Sequence, residues 1–225
     1  MRVFEIEGIK VELKRKRVKN FNLTVRSPHG EVKLTYPYRA TKQDYETFIQ
    51  SRIPWIKKQQ NKFKNLTVPA PLEYITGEKV WFLGKEFELI VKMSPKRLVE
   101  ITEDEIHLAV LKTDTKKEKQ KLLNEFYRKE LYKLLNPMVK KWEPIMQVTV
   151  QETRIKNMKT LWGSCNIKAQ RIWLNLELAK YDIDCIEYIV VHEMVHLLER
   201  LHSPRFYRFM DDYLPDWRHR KTLLN

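Results

Sequence analysis

The sequence predicts an α+β fold in which a β-rich N-terminal part precedes a helical part built around a small sheet. Three observations lead there. Within the first hundred residues, short apolar or alternating runs flank turn residues. Further on, residues 121–142 and 186–201 repeat apolar side chains at intervals of three and four. Between those stretches, Val148–Ile155 and Arg171–Asn175 read as short strands.

Taken in order, Asn22–Arg26 and Glu31–Tyr36 enclose Ser27-Pro28-His29-Gly30, which reads as a hairpin. Thr41 followed by Asp44 forms a capping-box pattern that opens a helix near Lys42–Gln50, with Pro54 expected to interrupt it or start a second turn and Trp55, Ile56 and Phe63 supplying apolar contacts. Val80–Leu83 and Glu86–Lys92 flank Gly84-Lys85 as a second hairpin. The charged stretch 113–121 suits a hinge or helix start. The helix through Leu122, Phe126, Leu131, Leu134 and Leu135 is expected to kink or break at Pro137. Trp162-Gly163-Ser164-Cys165 lies between the two short strands. The division expected from this reading is an accessory β-rich part, residues 1–112, and a catalytic part, residues 113–225.

Composition excludes several classes. The chain has 225 residues and 25 aromatics, too many for a solvated polymer, and no apolar run approaches the roughly 20 residues of a membrane helix. The N-terminal Met1-Arg2-Val3-Phe4-Glu5-Ile6-Glu7 carries acids and no apolar core, so no secretory signal is expected. Two cysteines, Cys165 and Cys185, make a disulfide framework improbable and suggest a reducing, cytoplasmic setting. The formal charge is +14, and residues 1–65 contribute +10 of it through 16 Lys/Arg against 6 Asp/Glu. Such a block can attract nucleic acid, nucleotides or acidic protein, or simply form a soluble surface.

The chemistry concentrates in Val191-His192-Glu193-Met194-Val195-His196, followed by His202. On a helix, His192 and His196 stand one turn apart on the same face, where two imidazoles can bind one zinc ion. Glu193 beside them can take a proton from water at neutral pH and return it to a leaving group. Asp184 with Glu187 could cap this helix, and Ile186, Ile189, Val190, Met194, Leu197 and Leu201 would supply its buried face. His202 is the candidate third ligand. It can serve only if the chain leaves the helix near Glu199–Leu201, and Ser203-Pro204 is suited to start a new helix running to about Tyr213. Glu199, Asp211, Asp212 and Asp216 are the alternative ligands.

Together with Trp162-Gly163-Ser164-Cys165, Ile172-Trp173-Leu174-Asn175 and His202-Ser203-Pro204-Arg205-Phe206-Tyr207, this pattern resembles the YgjP-like metallopeptidases, relatives of the SprT and WLM zinc-protease groups. The resemblance implies zinc at His192, His196 and His202, with Glu193 as acid/base. It also implies a zincin-like domain whose active-site helix packs under a small antiparallel sheet. Leu161 departs from the Arg expected before the Trp-Gly-Ser-Cys stretch. The His196-to-His202 spacing equals that of metzincins, but Glu199 stands where their Gly allows a left-handed turn.

The reading that follows is a zinc-dependent hydrolase of peptide bonds, with an extended substrate pairing near Arg171–Asn175. The alternatives are a nucleoside triphosphate (UTP) pyrophosphatase, a protease recruited to nucleic acid through the basic block as in SprT-like relatives, and a non-catalytic zinc scaffold. No Gly-rich phosphate cradle is present, and the intact Glu193 argues against a scaffold. Cys165 reads as packing, and His219, Arg205, Tyr207 and Arg171 are candidate oxyanion stabilisers. His29 and His107 read as bystanders.

Overall fold

A computed structural model describes residues 2–26, 30–64 and 71–224. The expected turn Ser27-Pro28-His29 lies outside the described residues, as does the Phe63 side chain. The chain falls into two compact units, Met1–Pro71 and Leu72–Asn225.

In the first unit, strands β1 (Arg2–Ile6), β2 (Ile9–Lys16), β3 (Asn22–Arg26) and β4 (Glu31–Pro37) form one sheet in the order β1-β2-β4-β3. β3 and β4 pair antiparallel as the hairpin pattern predicts, and β2 runs parallel to β4. Helix α1 (Lys42–Lys64) supplies Tyr45, Ile49, Ile53 and Ile56 to a core shared with Val11, Leu13, Val32 and Leu34. The Thr41–Asp44 cap forms: Thr41 N–H donates to Asp44 Oδ2 at 2.8 Å and Asp44 N–H to Thr41 Oγ1 at 3.3 Å. Contrary to expectation, α1 runs through Pro54. That residue is exposed, so the backbone carbonyl left without a donor can turn to water.

The second unit holds two sheets. Strands β5 (Lys79–Phe82), β6 (Lys85–Met93), β7 (Leu98–Ile101) and β8 (Glu105–Val110) order as β5-β6-β8-β7. The β5–β6 hairpin turns at Leu83 and Gly84, both with positive φ (47° and 79°), as a two-residue turn of the primed class requires. Helix α2 (Lys116–Met146) starts at Thr115, whose capping box with Glu118 is complete, and runs through Pro137 and Pro144. The helix is held by its buried stripe Leu123, Tyr127, Leu131, Leu135, Val139, Trp142 and Met146. At about 1.5–3 kcal/mol for each fully buried large apolar side chain, this stripe outweighs the roughly 3 kcal/mol penalty of an interior proline.

Strands β9 (Glu152–Lys156), β10 (Gly163–Asn166) and β11 (Arg171–Asn175) form a three-stranded sheet in the order β10-β11-β9. This corrects the expected antiparallel sheet: β10 pairs antiparallel with β11, but β9 pairs parallel to it. Strand β10 takes in Gly163, Ser164 and Cys165, which carry no strand signal in the sequence. A 3₁₀ helix (Leu176–Lys180) leads into α3 (Ile183–Val195), followed by α4 (Pro204–Tyr213) and α5 (Trp217–Thr222). Strands β5, β6 and β8 share a single apolar core with α2, α3 and the β9–β11 sheet. The compact unit carrying α3 therefore begins at Leu72, not at residue 113. No helix among the described residues is long and apolar enough to cross a membrane.

Candidate active site

Helix α3 is the most buried helix of the chain's second unit, with nine of its residues packed inside. Its N-cap is Asp182, whose side chain accepts from Asp184 N–H at 2.8 Å, so Asp184 lies in the first turn and not at the cap. Glu187 is not part of a capping box either. It accepts from Lys141 Nζ (2.7 Å), Trp142 Nε1 (3.0 Å) and Arg220 Nη1 (2.8 Å), and so ties α3 to α2 and α5. Burial alone would raise its pKa, but these three donors outweigh it and hold the carboxyl below its usual value.

The helix ends at Val195 with His196 at its C-cap, and the chain turns through 197–201 before Ser203 caps α4, its side chain accepting from Phe206 N–H at 3.3 Å. This break brings His202 back to α3. Leu201, expected in the buried face, is instead exposed in the turn. The candidate ligand nitrogens of His192, His196 and His202 all lie within 4.8 Å of one another, with His192 Nε2 and His202 Nε2 3.1 Å apart. The alternative acids do not join them: Asp211 binds Trp217 and Arg218, and Asp216 binds Arg220.

His196 Nδ1 sits 3.1 Å from the Glu199 carbonyl oxygen. A carbonyl can only accept, so this nitrogen carries the proton and Nε2 keeps its lone pair. Burial, with smaller contributions from the other two histidines and Lys221, lowers the His192 pKa to about 3, and burial also lowers that of His196. Both rings are therefore neutral at ordinary pH, the form in which imidazole binds a metal.

Glu193 is 5% exposed, and its Oε2 is buried with no hydrogen-bond partner. Burial pushes its pKa up to about 8. A buried carboxyl oxygen without a partner, in the same cleft as three imidazoles, fits a centre completed by a cation and water. Gly163 on β10 makes the seat for this side chain. A Cβ there would lie 2.6 Å from Glu193 Oε1 and 2.7 Å from its Cγ. The loop before β10 is fixed by buried Asn175: its Nδ2 donates to the Met158 and Leu161 carbonyls (3.0 and 2.9 Å), and its Oδ1 accepts from Met158 N–H (3.1 Å) and Glu177 N–H (3.3 Å).

Gly163, Glu193 and the three histidines line a cleft of about 960 Å³. One wall is β10, an edge strand that among the described residues pairs on one side only, with β11. The expected pairing strand, Arg171–Asn175, cannot serve, because it is central and already bonded on both sides. None of the four proposed oxyanion residues lines the cleft. Arg171 pairs with Glu152, Arg205 lies over Phe209, Tyr207 stacks on Trp217, and His219 is exposed. The cleft instead presents Tyr188, Arg200 and Lys221. Of these, Tyr188 was legible in principle, since it precedes His192 by one helical turn. Cys165 also lines the cleft, but burial, with a smaller contribution from Glu193, raises its thiol pKa to about 11, so it is no thiolate nucleophile.

A sequence profile described as the YgjP-like metallopeptidase domain matches residues 19–225. The chain belongs to the YgjP-like family. Membership supports a metal-dependent peptidase, and the histidine cluster lies in the matched stretch. No curated protein matches this YgjP-like chain in sequence. Among solved structures it is similar to the metallopeptidase zymogen abylysin of Pyrococcus abyssi (22% identity, 40% of this chain and 87% of that one, TM-score 0.36). It is also similar to the metallopeptidase zymogen jannalysin of Methanocaldococcus jannaschii (18% identity, 41% and 90%, TM-score 0.34).

Proposed function

We propose that this YgjP-like chain is a zinc-dependent peptidase in which His192, His196 and His202 hold the ion and Glu193 moves the proton. The observation that carries the reading is the unpartnered, buried Glu193 oxygen beside the three histidines. Zinc, when bound, supplies a Lewis acid that polarises the scissile carbonyl and acidifies water. The three imidazoles leave room for substrate and water, as a catalytic zinc site needs. Glu193 takes the proton from the attacking water and gives it to the departing amine. Gly163 and the buried sides of α3 hold that carboxylate in place. The free edge of β10 offers backbone N–H and C=O groups to an extended peptide, which would add as a fourth strand along the cleft.

Wild-type protein reconstituted with zinc, assayed on unfolded protein, short peptides and nucleoside triphosphates with and without DNA, tests this reading. Cleavage of peptide bonds is the expected result. Turnover of triphosphates with no cleavage of any peptide would replace it with the pyrophosphatase.

A further inference from the structure

We propose that the end of the first unit's sheet, where β2 and β4 finish side by side, is a binding site for single-stranded nucleic acid. The parallel pairing of β2 with β4 sets Lys14, Arg15 and Lys16 opposite Thr35, Tyr36 and Pro37. Both strands therefore release their following residues at the same edge: Arg17 and Lys19 after β2, Tyr38 and Arg39 after β4. Two stretches twenty residues apart in sequence become one surface carrying Lys14, Arg15, Lys16, Arg17, Lys19 and Arg39, all exposed.

Four of this unit's six carboxylates have partners outside the cluster. Glu12 pairs with Lys33 at 2.6 Å, Glu7 with Lys57 at 2.9 Å and Glu46 with Lys42 at 3.6 Å. Asp44 is held by Thr41. Among the described residues none of the six cations forms an ion pair with a carboxylate. The charge of Glu12 acts on Lys14, but a cluster of six cations without a direct carboxylate partner still costs folding free energy through repulsion, and a polyanion relieves it.

The aromatic component selects the kind of polyanion. Tyr38 is 59% exposed, and the Arg15 guanidinium lies 5.4 Å from its ring centroid while donating to the Tyr38 carbonyl. A ring held by a stacked arginine amid lysines is the arrangement on which an unpaired base stacks while the cations follow the phosphates. Acidic protein or lipid headgroups would use the charge but not the ring. Lys14 to Arg17 precede the stretch matched by the family profile, whereas Lys19, Tyr38 and Arg39 lie within it.

The test is fluorescence anisotropy of the full chain with a labelled mixed-sequence 25-nucleotide single strand, titrated with salt. Three variants accompany it: Lys14→Gln/Arg15→Gln/Lys16→Gln/Arg17→Gln, Tyr38→Ala, and a charge-matched control with Lys117, Lys121, Lys129 and Lys140 changed to Gln. Thermal melts verify that each is folded. The site predicts that the quadruple variant binds at least ~10-fold more weakly at low salt, with the log–log salt slope reduced by about 3, since each phosphate contact contributes about 0.7 on a single strand. Tyr38→Ala should weaken binding to the single strand more than to a duplex, and the control should stay within about twofold of wild type. No binding at low salt, equal weakening by the control, or a duplex, polyglutamate or anionic vesicles bound as tightly as the single strand would overturn the proposal.

Discussion

Gly163 and Glu193 are in such close approach that a methyl group on the glycine would fall 2.6 Å from the carboxylate oxygen. The strand that walls the cleft and the helix that carries Glu193 therefore fit together as they do because position 163 has no side chain. Gly163→Ala is predicted to push the Glu193 carboxylate aside while leaving the three histidines alone. The expected outcome is a fall in kcat of roughly 10- to 100-fold, the size of effect a displacement of about an ångström can have. Zinc content should not change. Steady-state kinetics with elemental analysis of the same sample checks both halves.

Metal binding gives the second prediction. Purified protein reconstituted with zinc should hold one ion per chain, and His192→Ala or His196→Ala should lose most of the affinity, because each removes one of three protein ligands. His202→Ala should weaken it as well. Competition with a chromogenic chelator reads the affinity. Full zinc occupancy in His202→Ala with unchanged affinity would pass the third position to another residue.

Stability should depend on pH through Glu187. Its carboxyl is partly buried, yet its donors Lys141, Trp142 and Arg220 hold the folded-state pKa below the unfolded value. A depressed carboxyl pKa stabilises the fold at pH above the unfolded value of about 4.3, and that stabilisation is lost as pH falls through the folded-state value. Glu187→Gln is therefore predicted to destabilise the protein by about 2 kcal/mol near pH 7, since charge-assisted hydrogen bonds to partly buried groups are lost. The difference from wild type should shrink toward zero in acid. Thermal melts of both proteins from pH 7 down to pH 3 measure it.

Packing under the active helix yields a fourth prediction. Leu131 on α2 and Val190 on α3 are fully buried in the same core. Leu131→Ala should cost about 2–5 kcal/mol and lower the melting temperature without altering zinc stoichiometry in the folded protein. Denaturant melts of the zinc-loaded forms separate this loss of packing from loss of the site.

The elements legible in the sequence were those with strong local chemistry. The Thr41–Asp44 cap and the Ser203-Pro204 start of α4 each rest on a few adjacent residues and have the expected form, and the β5–β6 hairpin forms with its turn one residue earlier than Gly84-Lys85, at Leu83-Gly84. The return of His202 toward α3 followed from the same local signals. The misses all depend on tertiary context. Pro137 and Pro54 read as breaks, but the buried stripes of α2 and α1 carry both helices through them. Gly163-Ser164-Cys165-Asn166 has no strand propensity, and only pairing with β11 makes it β10. With β10 unseen, neither the free edge beside the cleft nor the Glu193 seat could be read. Lys221 and Arg200 reach the cleft from segments whose placement no spacing rule gives. The unit boundary at 71/72 escaped for the same reason, since the strands β5–β8 look like those before them and differ only in the core they join.

The central claim is that Glu193 moves the proton in a zinc-dependent cleavage of peptide bonds, and Glu193→Gln tests it most directly. The amide matches the carboxylate in shape but cannot act as a base, so the variant should keep the fold and one zinc per chain. Measured on the same peptide, its turnover should fall by ~10²–10⁴-fold, the usual contribution of general acid–base catalysis. A zinc-loaded Glu193→Gln protein that cleaves the peptide at a rate near wild type would contradict the account.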